Sequence, residues 1–177
     1  MTQFPFYHCA VDDPNTPRSV YTAIGRAAAA WARLEQHLDA VLFQVNKRRH
    51  SESLYEEHPR DFARKLKLLK KWFNKCPALA VHKQEMAALT RNLRVLSREF
   101  RNPMLHSIFA RYDPQKQVLD FCSIRSMGGD NFNIRETRTD MQRLRKAPKT
   151  LNQANEILSW ISRDLFSPDG IARLEKP

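Results

Sequence analysis

LAVHKQEMAALTRNLRVLSREFRNPMLH, residues 79–106, is the run on which the fold turns. Leu79, Met86, Leu93 and Phe100 recur every seven residues, with His82, Leu89 and Leu96 interleaved. That spacing makes one apolar seam along a helix built to pack against other helices. His82 falls on the seam and reads as a packed core histidine. The seam stops where Arg101, Asn102 and Pro103 arrive together. Proline has no amide hydrogen and its ring clashes with the carbonyl four residues back. The spacing therefore predicts a helix that stops and restarts, with Asn102 as the new cap and Pro103 at the first position. In an unbroken helix Arg101 and His106 would point about 140° apart at ~3.6 residues per turn, so the break is what lets them serve one ligand. The restart would also put His106 in a first turn, where free amides and the dipole favour an anion. Arginine is a permanent, fork-shaped phosphate binder and histidine exchanges a proton near neutral pH, so the pair points to phosphodiester chemistry.

Upstream, Thr16 and Pro17 form a helix start, a hydroxyl cap followed by a proline where no amide bond is lost. Val20, Ala27, Leu34 and Val41 then recur every seven residues, interleaved with Ile24, Trp31, Leu38 and Val45. This is a helix of roughly 45 Å with one apolar stripe, which demands partner helices. It ends in Lys47, Arg48 and Arg49, cations at the negative end of its dipole. His37 and His50 read as boundary or surface groups. From Pro59 a second helix carries Phe62, Leu66, Leu69 and Phe73 on one face. Its other face holds Arg60, Arg64, Lys65, Lys67, Lys70, Lys71 and Lys75, opposed only by Asp61. That face reads either as a solvated helix surface or as a track for a phosphate backbone, which would bind without reading sequence. Pro77 ends it, and Arg91, Arg94 and Arg98 continue the positive surface along the third helix.

Downstream the pattern changes period. Residues 108–112, 117–125 and 132–138 read as three short strands, joined by Asp113-Pro114 and by Gly128-Gly129-Asp130-Asn131. Asp140 caps a last helix in which Leu144, Leu151, Leu158 and Leu165 repeat every seven residues, with Ala147, Ala154 and Ile161 between. Pro148 is expected to kink that helix or split off its first turn. The expected fold is mainly α, an antiparallel four-helix bundle with a small β-hairpin or meander inserted at about 107–138, before the last helix. One domain, 16–166, would lie between an N-terminal arm, 1–15, and a C-terminal tail, 167–177. In the arm, Phe4, Phe6 and Tyr7 are expected to pack on the body, and Asp12 and Asp13 to be solvated.

The whole chain has 177 residues, enough for a proper core. Lys plus Arg is 30 against 19 acidic residues, a net charge of +11 that points to a polyanionic partner. Cys9, Cys76 and Cys122 are odd in number and widely spaced, which argues against a disulfide framework or zinc ribbon and for a reducing, cytoplasmic setting. No apolar run approaches the ~18 residues of a membrane span. No glycine pattern resembles a phosphate loop, and no metal-ligand spacing is present, so neither cofactor nor metal is expected.

With Arg101, Asn102 and His106 at the end of a bundle helix, the sequence resembles the HEPN superfamily, helical domains marked by Arg, a polar residue, a few further residues and His. The WARLEQHL run of the first long helix and the helix feeding the motif resemble members that carry a strand insertion. Most of residues 17–166 match as architecture, and only those three as specific chemistry. Pro103 inside the motif, and Ser107 where many relatives have glycine, are departures. The resemblance implies a metal-independent endoribonuclease, often a toxin or antiphage effector, acting as a homodimer with both motifs at one cleft. It implies His106 as general base or acid, Arg101 on the scissile phosphate and Asn102 orienting the site. Arg64, Lys67, Lys71, Arg94 and Arg98 would then bind RNA. The alternative it carries is an inactive module that docks RNA, nucleotide or a protein partner such as a nucleotidyltransferase antitoxin.

Overall fold

The computed structural model describes residues 16–48, 59, 61–126 and 132–175. The expected arm, with Cys9, Asp12 and Asp13, lies outside the described residues, as do His50 and Arg60. The chain is mainly helical with one small antiparallel sheet. It divides into two compact units, one of residues 1–31 and 96–149, the other of residues 32–95 and 150–177.

Among its described residues the second unit has helices and no strand. It takes the later part of α1 (Arg18–Arg48), all of α2 (Phe62–Lys75), a 3-10 turn (Pro77–His82), most of α3 (Lys83–Leu96), the later part of α5 (Met141–Leu165) and α6 (Pro168–Leu174). Its stripes follow the seven-residue spacing: Leu34, Leu38, Val41 and Val45 on α1, Met86, Leu89 and Leu93 on α3, and Leu151, Leu158, Ile161 and Leu165 on α5 are all buried. Helix α2 starts later than Pro59, because Asp61 is its cap and accepts from the amides of Ala63 and Arg64 at 2.8 and 3.2 Å.

One lysine is not on the solvated face where the sequence placed it. Lys65 is only 5% exposed, and its Nζ bonds Glu35 at 3.2 Å and Asp39 at 2.8 Å, both on α1. The buried face of α2 includes Leu68 and Trp72 as well, so it is wider than four apolar positions, and a lysine inside it needs carboxylates. His82 is buried as expected, with Nε2 2.7 Å from Asp164 and its ring edge-to-face with Trp160 at 4.9 Å. His37 bridges α1 to α5, 2.9 Å from Asn155 Oδ1 and 3.1 Å from Ser162 Oγ.

The expected tail is a helix instead. Ser167 caps α6 by accepting from the Gly170 amide at 3.1 Å, and Pro168 follows it at the first position, the same signal as Thr16 and Pro17. Gly170 is required there, since a Cβ would sit 2.1 Å from the Asp164 carbonyl oxygen. Arg173 on α6 donates to Asp164 at 2.6 Å. The hydrogen bond from His82, and then the charge of Arg173, hold the Asp164 carboxyl below the usual carboxylate range. A depressed carboxylate stabilises the fold above its unfolded pKa, about 3.9, and loses that contribution as pH falls through the folded value. Asp164→Asn is therefore expected to lower Tm at neutral pH and to flatten the decline of Tm below about pH 4, measured by thermal melts across pH. An equally steep acid decline in the variant would show that Asp164 is not its source.

The first unit holds the sheet. Strands β1 (Ile108–Asp113), β2 (Val118–Ser126) and β3 (Phe132–Asp140) pair antiparallel in the order β1-β2-β3, close to the expected boundaries. Leu119 and Phe121 face inward and join Val20, Ala23 and Ala27 of α1, Phe100, and Met141, Leu144 and Ala147 of α5 in one core. Tyr21, Phe109 and Phe121 form a chain of edge-to-face rings with centroids 5.8 and 5.9 Å apart. Away from that core, Asp120 is buried between Arg111 and Arg138, accepting from their Nε atoms at 2.7 and 2.9 Å across three adjacent strands. Asp140 caps α5 through the Arg143 amide at 2.9 Å. Helix α5 runs through Pro148 as one element rather than splitting.

Candidate functional site

The helix feeding the motif does not stop at Pro103. Arg101 and Asn102 both keep right-handed helical backbone angles, and the chain instead widens into a π turn, Ser97–Arg101. The Asn102 amide reaches back five residues to the Ser97 carbonyl. Widening by one residue shifts the bonding register just where Pro103 has no amide to offer and its ring would meet a carbonyl, so the proline is absorbed without a break. A short helix, α4 (Asn102–His106), follows directly. Asn102 is thus inside the helix and not its cap. His106 is the last residue of α4, not a member of a first turn, so a helix N-terminus contributes nothing to the site.

Arg101, Asn102 and His106 nevertheless meet. Arg101 NH1 lies 3.1 Å from His106 Nε2 and 3.4 Å from Asn102 Oδ1. The length of the arginine side chain spans the angular offset that a backbone break was expected to remove. A guanidinium only donates, so in this contact Nε2 is the acceptor. His106 is exposed, Arg101 is half-buried and Pro103 is buried.

His106 opens onto a cleft of about 380 Å³, within the range of small-molecule sites, lined by Arg98, Asn102, Pro103, His106, Ser107, Ser123, Arg135 and Thr137. Every lining residue belongs to the first unit. Its described lining residues supply two guanidiniums, an imidazole, a carboxamide and three hydroxyls, and no carboxylate. Such a donor set suits phosphoryl oxygens. Of the cations expected to bind RNA, Arg98 lines this cleft, while Arg64, Lys67, Lys71 and Arg94 belong to the other unit. There Arg64 pairs with Asp61 at 3.2 Å, Lys67 and Arg94 are exposed, and Lys71 is half-buried.

Ser123, Arg135 and Thr137 were not found from sequence. Strand alternation puts Ser123 on the face of β2 that carries Phe121, and Arg135 with Thr137 on one face of β3, but only the pairing brings these two faces together. Among the described residues no group of three or more His, Cys, Asp or Glu is placed to hold a metal, and Cys76 and Cys122 are not in disulfides. Nor is any helix among the described residues long and apolar enough to cross a membrane. Compared with known proteins, the chain matches no family model, no curated protein and no solved structure.

Proposed function

We propose that this chain is a HEPN-like endoribonuclease on a four-helix-bundle scaffold, acting as a homodimer and cleaving RNA without a metal. The observation that carries the reading is the contact of Arg101 with both Asn102 and His106, two residues that line a cleft with no carboxylate among its described lining residues. An incoming phosphate competes for the Arg101 guanidinium, which exchanges its bond to Nε2 for charge-assisted bonds to phosphoryl oxygens. The neutral imidazole is then left with a free Nε2 lone pair, the state a general base requires. His106 takes the proton of a ribose 2′-hydroxyl, whose oxygen attacks the adjacent phosphorus. The 5′-oxygen leaves and is protonated by solvent. The products are a 2′,3′-cyclic phosphate and a 5′-hydroxyl. Arg101 stabilises the charge that grows on the phosphoryl oxygens, and Asn102 orients Arg101. Such an activity suits a toxin or antiphage effector restrained by a partner protein.

Purified protein is expected to cleave a single-stranded RNA oligomer in excess EDTA and to leave cyclic phosphate ends. Cleavage that appears only with added divalent cation, or that leaves 3′-hydroxyl ends, overturns this reading. A catalytically silent module that docks RNA, nucleotide or an antitoxin is the second reading. The same Arg101 to Nε2 bond favours it, since a base whose lone pair stays occupied cannot accept a proton. Retention of RNA with no cleavage would select it.

A further inference from the structure

The inner face of the hairpin formed by β2 and β3 changes character along its length. On β2 it runs Leu119, Phe121, Ser123, and the partners across on β3 are Thr139, Thr137 and Arg135. Leu119, Phe121 and Thr139 are buried, Ser123 and Thr137 are half-buried, and Arg135 is exposed. With a side-chain period of two, one continuous face thus leaves the core as aromatic and aliphatic groups and enters the cleft as two hydroxyls and a guanidinium. Arg135 stands in register with Ser123, so the two reach the cleft side by side. Arg98 lines the same cleft from the π turn. Among the described residues neither Arg98 nor Arg135 is paired with a carboxylate. The other face of the sheet is unlike this, because Arg111 and Arg138 are both spent on Asp120.

The geometry points to a second phosphate subsite, built by the hairpin from Arg135, Ser123 and Thr137 together with Arg98, that holds a neighbouring phosphate of the same RNA strand. It rests on the endoribonuclease reading for the identity of the ligand. In that reading Arg101 serves the phosphate at His106, and among the described residues no carboxylate pairs with either of the two remaining guanidiniums. A ligand with one phosphate would leave that charge uncompensated, whereas a strand places further phosphates in the cleft. The sheet is then a working part of the site, adding affinity and register to a motif carried on a helix.

The test is fluorescence anisotropy with a labelled single-stranded RNA oligomer, in a His106→Ala parent so that nothing is cut, over a series of salt concentrations. Adding Arg135→Ala is expected to weaken binding by about 3–10-fold at low salt and to reduce the slope of log affinity against log salt by about 0.7, the value of one phosphate contact on a single strand. Arg135→Lys in the same parent should retain most of the slope. Lys116→Ala removes the same charge from the turn between β1 and β2, away from the cleft, and should change neither quantity. An unchanged slope with Arg135→Ala, or an equal loss with Lys116→Ala, overturns the subsite even if the wild type cleaves RNA. Loss specific to Arg135 supports it even if the wild type proves inactive, and a parent that binds no RNA removes both readings. Should Arg135→Ala fold poorly by circular dichroism, Arg135→Gln, which keeps the stem of the side chain, gives the same readout.

Discussion

His106→Ala is expected to lower RNA cleavage in EDTA by about 10²–10⁴-fold, the usual worth of a positioned general acid or base. The same variant should melt within a degree or two of wild type, because the side chain it removes is exposed and surface changes cost at most about 0.5 kcal/mol. Its affinity for RNA should stay near that of the wild type, since Arg98, Arg101 and Arg135 remain. The combination discriminates. A structural histidine would move the melting temperature and leave the rate, and a purely electrostatic one would move binding. Arg101→Lys adds a further check, because it keeps the charge and loses the planar fork that both touches Nε2 and matches two phosphoryl oxygens. Cleavage surviving at wild-type rate in His106→Ala would remove the proposed mechanism outright.

Phe121→Ala is expected to destabilise the protein by about 3–5 kcal/mol, the range for truncating a buried phenylalanine. At roughly 2–4 °C per kcal/mol for a chain of this size, the loss should read as a fall in Tm of about 6–20 °C. The reason is local. The Phe121 ring is 1% exposed, packs edge-to-face on Phe109, and joins both strands of the hairpin to the first part of α1 and of α5. Its removal leaves a cavity in that core. Ser123 lies two residues along the same face and Thr137 pairs with Phe121 directly, so the cleft wall should loosen as well. Cleavage and salt-dependent RNA binding should therefore weaken well below the new Tm, while Phe121→Leu should recover most of both. A Tm within about 2 °C of wild type would mean that the hairpin is not anchored through this ring.

The helical seams and the strands were readable because their information is local and periodic. Leu34, Leu38 and Val45 are buried because they fall on one stripe, and residues 108–140 alternate with turn residues between them. The last helix before the tail was legible from Asp140 for the same reason. Helix α6 was missed although Ser167 and Pro168 carry the same cap and proline as Thr16 and Pro17, because its short apolar pattern, Ile171 and Leu174, does not complete a heptad. Lys65 was misplaced because its burial depends on Glu35 and Asp39, which α1 contributes from elsewhere in the chain.

The hexapeptide at 101–106 divides in the same way. Pro103 announces a disturbance of the helix, and an Arg, an Asn and a His within six residues announce chemistry. Whether the disturbance is a stop or a widened turn depends on which is less costly to the surrounding packing. Phe100 is buried in the first core, and a π turn keeps it there while shifting the bonds around the proline. Hydrophobic spacing and turn chemistry, both properties of neighbours in the chain, thus determined the elements and nominated Arg101, Asn102 and His106. Only the tertiary structure set Ser123, Arg135 and Thr137 beside them, because strand pairing joins residues by register across the sheet and not by their distance along the sequence.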